Sequence, residues 1–207
     1  MSFRSIPSTI RDVTFGKDVT IVEPCNLYGC KIGDQCFIGP FVEIQKEVVI
    51  GNRTKVQSHS FICSLVTIGQ DCFIGHGVMF VNDKFQQGKP AGGDPSKWQK
   101  TFIGNHVSIG SNATILPVTI CDHVVIGAGA VVTKDTPDHA LVTGVPSKIT
   151  GWMCRCGEKL SLSKSPESVE TDTCPRCKRE YTKNKLTIIT LSSSEKTTIP
   201  KNPITIT

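Results

Sequence analysis

The chain has 207 residues, a formal net charge of +5, 18 glycines and 6% aromatic residues. That length holds one domain, or one domain with an appendage, around a core with little room for rings. The charge is too modest to make nucleic acid a partner by electrostatics alone, no apolar run reaches bilayer length, and Met1 to Pro7 lacks a signal-peptide core.

In chain order, the first feature is a rhythm. Phe15, Ile21 and Leu27 keep a step of six, Ile32 arrives one residue early, and the step then runs without a slip through Ile38, Ile44, Ile50, Val56, Ile62, Ile68, Ile74 and Phe80. Glycine often follows the apolar residue (Gly33, Gly39, Gly51, Gly69, Gly75), and a small or β-branched residue stands four places on (Cys36, Val42, Val48, Thr54, Ser60, Val66, Cys72, Val78). A period of six belongs to neither a helix nor a plain strand, so it is a repeat: a short strand and a bend, three of which close a triangular coil. Coils stacked about 4.8 Å apart place like residues in ladders. Glycine or asparagine is expected to relieve the bends where φ is positive. Six cysteines (Cys25, Cys30, Cys36, Cys63, Cys72, Cys121) are scattered through this repeat, which fits small packing residues in a reducing, cytoplasmic compartment.

From Asp83 to Thr101 the rhythm stops in a Gly-, Pro-, Lys- and Gln-rich stretch, and an insertion of that length in a compact repeat is usually functional. Ile103, Ile109 and Ile115 resume the step, Ile120 comes one residue early, and Ile126 and Val132 complete it. The chain then leaves through Asp135-Thr136-Pro137-Asp138 and reaches Gly144-Val145-Pro146-Ser147-Lys148. The expected organisation is a repeat domain over 1–150 with an extruded loop at 83–101, a cysteine-rich appendage over 151–181, and a Thr/Ser/Lys tail over 182–207. That tail is disordered or adds an edge strand.

The repeat together with the string Ile74-Gly75-His76-Gly77-Val78-Met79-Phe80-Val81-Asn82-Asp83 resembles the hexapeptide-repeat acyltransferases. Within them it is most similar to enzymes that N-acetylate nucleotide-linked 3-amino sugars, over a span from Phe15 through Leu160. The resemblance implies an all-β, left-handed parallel β-helix. It also implies acetyl-CoA as acyl donor, a UDP- or dTDP-linked amino sugar as acceptor, and a homotrimer whose active sites lie between subunits. By the same resemblance Asn82 contacts the sugar, with Asp83, Lys84 and His59 as further acceptor contacts. The coenzyme A sulfur takes the proton, and His76 is the alternative general base. The coenzyme is expected at Gly110, Ser111, Ala128 and Ala130, with Lys134 and Lys148 near its phosphates and Pro146 against adenine. His123 is a weaker candidate near the coenzyme. Two departures leave the sugar open. Ile115-Leu116-Pro117-Val118-Thr119-Ile120-Cys121 lacks a residue and two glycines of the common string. The loop also lacks a Pro-Arg pair, which leaves Lys84, Lys89 and Lys97 to supply positive charge.

The last motif is Cys154-x-Cys156 followed by Cys174-x-x-Cys177, a spacing that suits a structural, zinc-knuckle-like Zn2+ site, with free thiols or a redox pair as the alternative. Competing functions are O-acetylation of a hydroxyl, which would make His76 indispensable, and a zinc hydratase, for which the histidine spacing does not obviously supply three converging ligands. A non-catalytic trimeric scaffold or nucleic-acid binder remains as a further class.

Overall fold

The computed structural model describes residues 9–84, 94–165 and 167–190. Strands of mostly two residues stack into three parallel sheets, which form the faces of a prism. Face 1 carries seven strands, from Ile10–Arg11 to Val131–Val132. Face 2 carries six, from Thr14–Phe15 to Thr119–Ile120. Face 3 begins at Thr20–Ile21 and includes Ala140–Thr143. The chain is a β-solenoid of about seven turns.

The hexad aliphatics form its axis. On face 1, Leu27 pairs with Ile44 and Ile44 with Ile62, and Ile115 pairs with Val132; each is almost wholly buried. Each such side chain contributes about 1.5–3 kcal/mol relative to exposure. The small interior position has a second task. The Sγ of Cys36 and Cys72, and the hydroxyls of Thr54 and Ser60, donate to Gly51, Gly104, Gly69 and Gly75 carbonyls at 2.8–3.1 Å. Cysteine, serine and threonine recur there because they are small and carry a donor.

The glycines directly after the aliphatics serve close approach and not positive φ; the expected glycine or asparagine with positive φ stands at the corner from face 3 to face 1, in Gly77, Asn112 and Gly129. A Cβ on Gly51 would lie 2.5 Å from the Gly69 carbonyl carbon, and one on Gly69 would lie 2.4 Å from the Gly104 oxygen. The left-handed bend residues are mostly other types: Gln35, Arg53, Asp71, His106, His123 and His139 line one corner at φ 55–64°.

The irregular steps all fall on one edge. Ile10 to Phe15, Leu27 to Ile32 and Ile115 to Ile120 are the shortened turns, and each joins face 1 to face 2. The extruded loop leaves the same edge, between Met79–Phe80 on face 1 and Thr101–Ile103 on face 2.

Past Val132 the pattern changes from parallel to antiparallel. Ala140–Thr143 pairs with Lys148–Met153, which pairs with Lys159–Leu160. The expected boundary at 151 falls inside Lys148–Met153, because that strand continues face 3 and buries Trp152 completely. A second sheet of Val169–Thr173, Glu180–Asn184 and Thr187–Thr190 follows, so the expected tail contributes to two strands before Thr190. Residues 191–207 lie outside the described residues. Among the described residues no helix is long and apolar enough to cross a membrane.

Candidate active site and cysteine cluster

The corner from face 3 to face 1 holds most of the residues assigned to coenzyme and proton transfer. Ladder stacking puts Pro40, Ser58, His76, Ser111 and Ala128 in one column, one coil apart. Exposed His76 lies with Nδ1 2.8 Å from the Ser58 hydroxyl, which orients the ring and leaves Nε2 as its other polar atom. Exposed His59 stands in the adjacent column and stacks on Phe41, with centroids 4.8 Å apart. Neither Ser58 nor Phe41 was expected at the site; each lies one coil before its histidine, which was the signal available.

Backbone bonding separates the four small residues. At the opposite corner, from face 2 to face 3, side chains take the column's amides: Asp34 N–H donates to Asn52 Oδ1 at 2.8 Å, and Asn105 N–H to Asp122 Oδ1 at 2.7 Å. At the His76 corner the amides of Ser111 and Ala128 have no partner among the described residues. Gly110 and Ala130 differ. Their amides donate to Ile126 and Gly127 carbonyls, and the Ala130 side chain is wholly interior, so Ala130 offers an external ligand neither side chain nor amide. The hairpin tip closes over this edge: Ser147 N–H donates to Val131 O and Val131 N–H to Gly144 O. Pro146 and Lys148 are exposed beside it.

Asn82 occupies the other end of face 1, at the corner that carries the loop. Its Nδ2 donates to the Ser64 carbonyl at 3.2 Å, and its own carbonyl accepts Gln99 N–H at 2.8 Å, so both limbs of the loop are tied at the base. Asp83 is half-buried, and Lys84 and Lys134 are exposed. Lys97 pairs with Asp94 at 3.8 Å on the surface, and Lys89 lies outside the described residues. His76 and Asn82 stand six positions apart across an extended face, roughly 15–20 Å. One chain therefore does not bring both to one atom.

His123 belongs to neither group. It stacks between His106 and His139, at 4.8 Å to each, on the third corner. The near-parallel rings cannot aim three lone pairs at one ion, and His139 Nδ1 is held by Met153 O at 2.7 Å.

The thiols divide in two. Burial pushes Cys63 and Cys72 up to about 12 and Cys30 and Cys121 up to about 11, which keeps them protonated and inert. The Sγ atoms of Cys154, Cys156, Cys174 and Cys177 instead all lie within 4.8 Å of one another. There the Arg179 backbone N–H pulls Cys177 below the usual thiol range, while burial pushes Cys154 above it.

A prism of hexad coils with a loop extruded at one corner is the architecture of the hexapeptide-repeat proteins. The family described as "Bacterial transferase hexapeptide (six repeats)" matches residues 29–64, and "Hexapeptide repeat of succinyl-transferase" matches residues 100–134. The chain therefore carries hexapeptide repeats of the kind these two models describe. Among curated relatives, the bifunctional protein GlmU of Clostridium botulinum is 37% identical over 130 residues, 61% of this chain and 26% of the relative. GlmU of a Synechococcus species is 31% identical over 71% of this chain and 31% of the relative. The chain thus spans about a quarter to a third of the length of these relatives. Among solved structures, a hexapeptide transferase family protein of Anaplasma phagocytophilum shares the fold, with a TM-score of 0.54, 16% identity, and 69% and 80% of the two chains covered. A hexapeptide-repeat-containing acetyltransferase of Vibrio cholerae, complexed with acetyl coenzyme A, has a TM-score of 0.50 and 25% identity, covering 60% and 70%.

Proposed function

We propose that the protein is a cytoplasmic N-acetyltransferase that moves an acetyl group from acetyl-CoA to the amino group, at C3, of a UDP- or dTDP-linked amino sugar. The observation that carries this reading is Asn82. Its NH2 donates to the Ser64 carbonyl, which leaves Oδ1 as the acceptor the side chain can offer a ligand. A fixed acceptor suits an amine, which arrives with hydrogens to donate and gains nucleophilicity once oriented. The amine nitrogen attacks the thioester carbon, the C–S bond breaks, and the departing sulfur takes the proton. The Vibrio relative crystallised with acetyl coenzyme A supports the donor. The open amides of Ser111 and Ala128, beside exposed Pro146 and Lys148, support a coenzyme lying along that corner.

The separation of His76 from Asn82 favours a homotrimer in which the loop corner of one subunit faces the His76 corner of the next. One observation favours a second reading, O-acetylation: the Ser58–His76 pair is arranged as a positioned general base. The test is thiol release from acetyl-CoA with UDP- and dTDP-linked 3-amino and 4-amino sugars, comparing wild type, Asn82→Ala and His76→Ala. Turnover of an amino sugar, cut at least about 100-fold by Asn82→Ala and moderately by His76→Ala, is the expected result. Turnover of hydroxyl acceptors alone, abolished by His76→Ala, would replace it with O-acetylation.

A further inference from the structure

The four-cysteine cluster is outside everything acetyl transfer requires. We propose that Cys154, Cys156, Cys174 and Cys177 bind one Zn2+ ion, and that this ion locks the second antiparallel sheet onto the last coil by fixing Tyr181 and the strand Lys148–Met153.

Geometry supports the ion. The Cys154–Cys177, Cys154–Cys156 and Cys156–Cys174 sulfurs are 3.4, 3.4 and 3.6 Å apart. A tetrahedral Zn2+ with Zn–S of about 2.3 Å has sulfur–sulfur edges of about 3.8 Å. These separations are far from the bonded distance of about 2.05 Å that disulfides require. Each cysteine pair is carried on a knuckle closed by a left-handed residue. Gly157 (φ 86°) donates its N–H to Cys154 O at 2.9 Å, and Lys178 (φ 62°) donates to Cys174 O at 3.0 Å. No Cβ clash explains Gly157, so its positive φ does. A Zn2+ held by four thiolates carries two net negative charges, and cations flank it. Arg179 Nη1 lies 3.9 Å from Cys177 Sγ, Arg176 Nη1 donates to Cys156 O at 3.3 Å, and Arg155 and Lys178 occupy the knuckles. Four sulfurs close the coordination shell, leaving no position for substrate, so the ion's role is structural.

The coupling to the solenoid runs through named contacts. The Tyr181 hydroxyl lies 3.1 Å from Cys154 Sγ and accepts Arg155 N–H at 3.1 Å. Its fully buried ring meets His139 edge-on at 5.3 Å. His139 bonds Met153 twice, through Nδ1 to Met153 O and from Met153 N–H to His139 O, each at 2.7 Å. Met153 precedes the first ligand and ends the strand whose other end is Lys148. A small sheet with few buried apolar side chains of its own needs such a staple.

The test is made on the full chain purified under reducing conditions. Expected are one zinc per chain and, after exchange into Co2+, visible thiolate-to-cobalt and tetrahedral absorption bands. Chelation of the wild-type protein should lower hydrogen-exchange protection of Lys148–Met153 and Glu180–Asn184 at least about tenfold. Strands up to Thr114–Ile115 should keep theirs, and re-adding Zn2+ should restore the loss. Protein lacking zinc, with the four thiols reactive or oxidised in the native state, overturns the site. Full zinc content with unchanged protection of Lys148–Met153 on chelation overturns the lock. Neither readout uses acetyl transfer, so its failure and the failure of the enzymatic reading are distinguishable.

Discussion

A single backbone amide separates the corners of this prism. Where Asn52, Asn105, Asp122 and Asp138 stand in the column, their side-chain oxygens accept the amide of the coil before, and the corner is sealed. Ser111 and Ala128 stand at the equivalent place on another corner, and no neighbouring side chain closes over them. Pro40 occupies the same column as Ala128, so the fold accepts proline there. Ala128→Pro should therefore leave the unfolding midpoint nearly unchanged. It should raise KM for acetyl-CoA about tenfold, the worth of one hydrogen bond to a ligand. Steady-state kinetics beside thermal melts would check this, and an unchanged KM would remove Ala128 from the coenzyme edge.

At the scale of the element, the extruded loop is an outgrowth of the one edge whose turns also lose residues. Its limbs are joined by Gln99 N–H to Asn82 O, and Thr101 N–H to Leu65 O returns the chain to face 2. The coils on either side pair directly, Ile68 with Ile103, as though the loop were not there. Replacing residues 84–98 with two glycines should shift Tm by less than about 3 °C, because the closure cost of the loop changes little and the coils on either side stay paired. Acceptor turnover should be lost. A large drop in Tm would instead make the loop part of the folding unit.

The whole molecule carries an acid sensitivity. Burial pushes His123 down to about 3 and His139 down to about 4, with the charges of neighbouring His139 and Arg155 adding to the effect on His123. Both rings are neutral in the fold while an unfolded histidine titrates near ~6.5. The unfolded chain therefore binds more protons as pH falls below ~6.5, and stability drops by about 1.4 kcal/mol per pH unit for each histidine until the native value is reached. Above ~7 the two groups contribute no slope. Urea unfolding between pH 7.5 and 4.5 should show this decline, and His139→Phe should remove part of it. A flat profile would mean that the rings are protonated in the fold.

What the sequence determined by itself was everything with a short period. Apolar residues at every sixth place are a local signal, since each reports only that its own strand faces inward, and from them came the three-faced coil, the shortened turns and the place of the loop. The four cysteines were legible for the same reason, as two close pairs. Tertiary structure alone decided what the period brings side by side. Ser58 beneath His76, Phe41 beneath His59 and the column of His106, His123 and His139 are neighbours one coil apart, and their contacts depend on a register that each shortened turn resets. It alone decided, too, that Gly51 and Gly69 answer to close approach between coils, that Ala130 is consumed by the ladder while Ala128 is not, and that the appendage shares a strand with the solenoid. Those outcomes depend on which hydrogen bonds are already taken, a property of the packed molecule that no single segment carries.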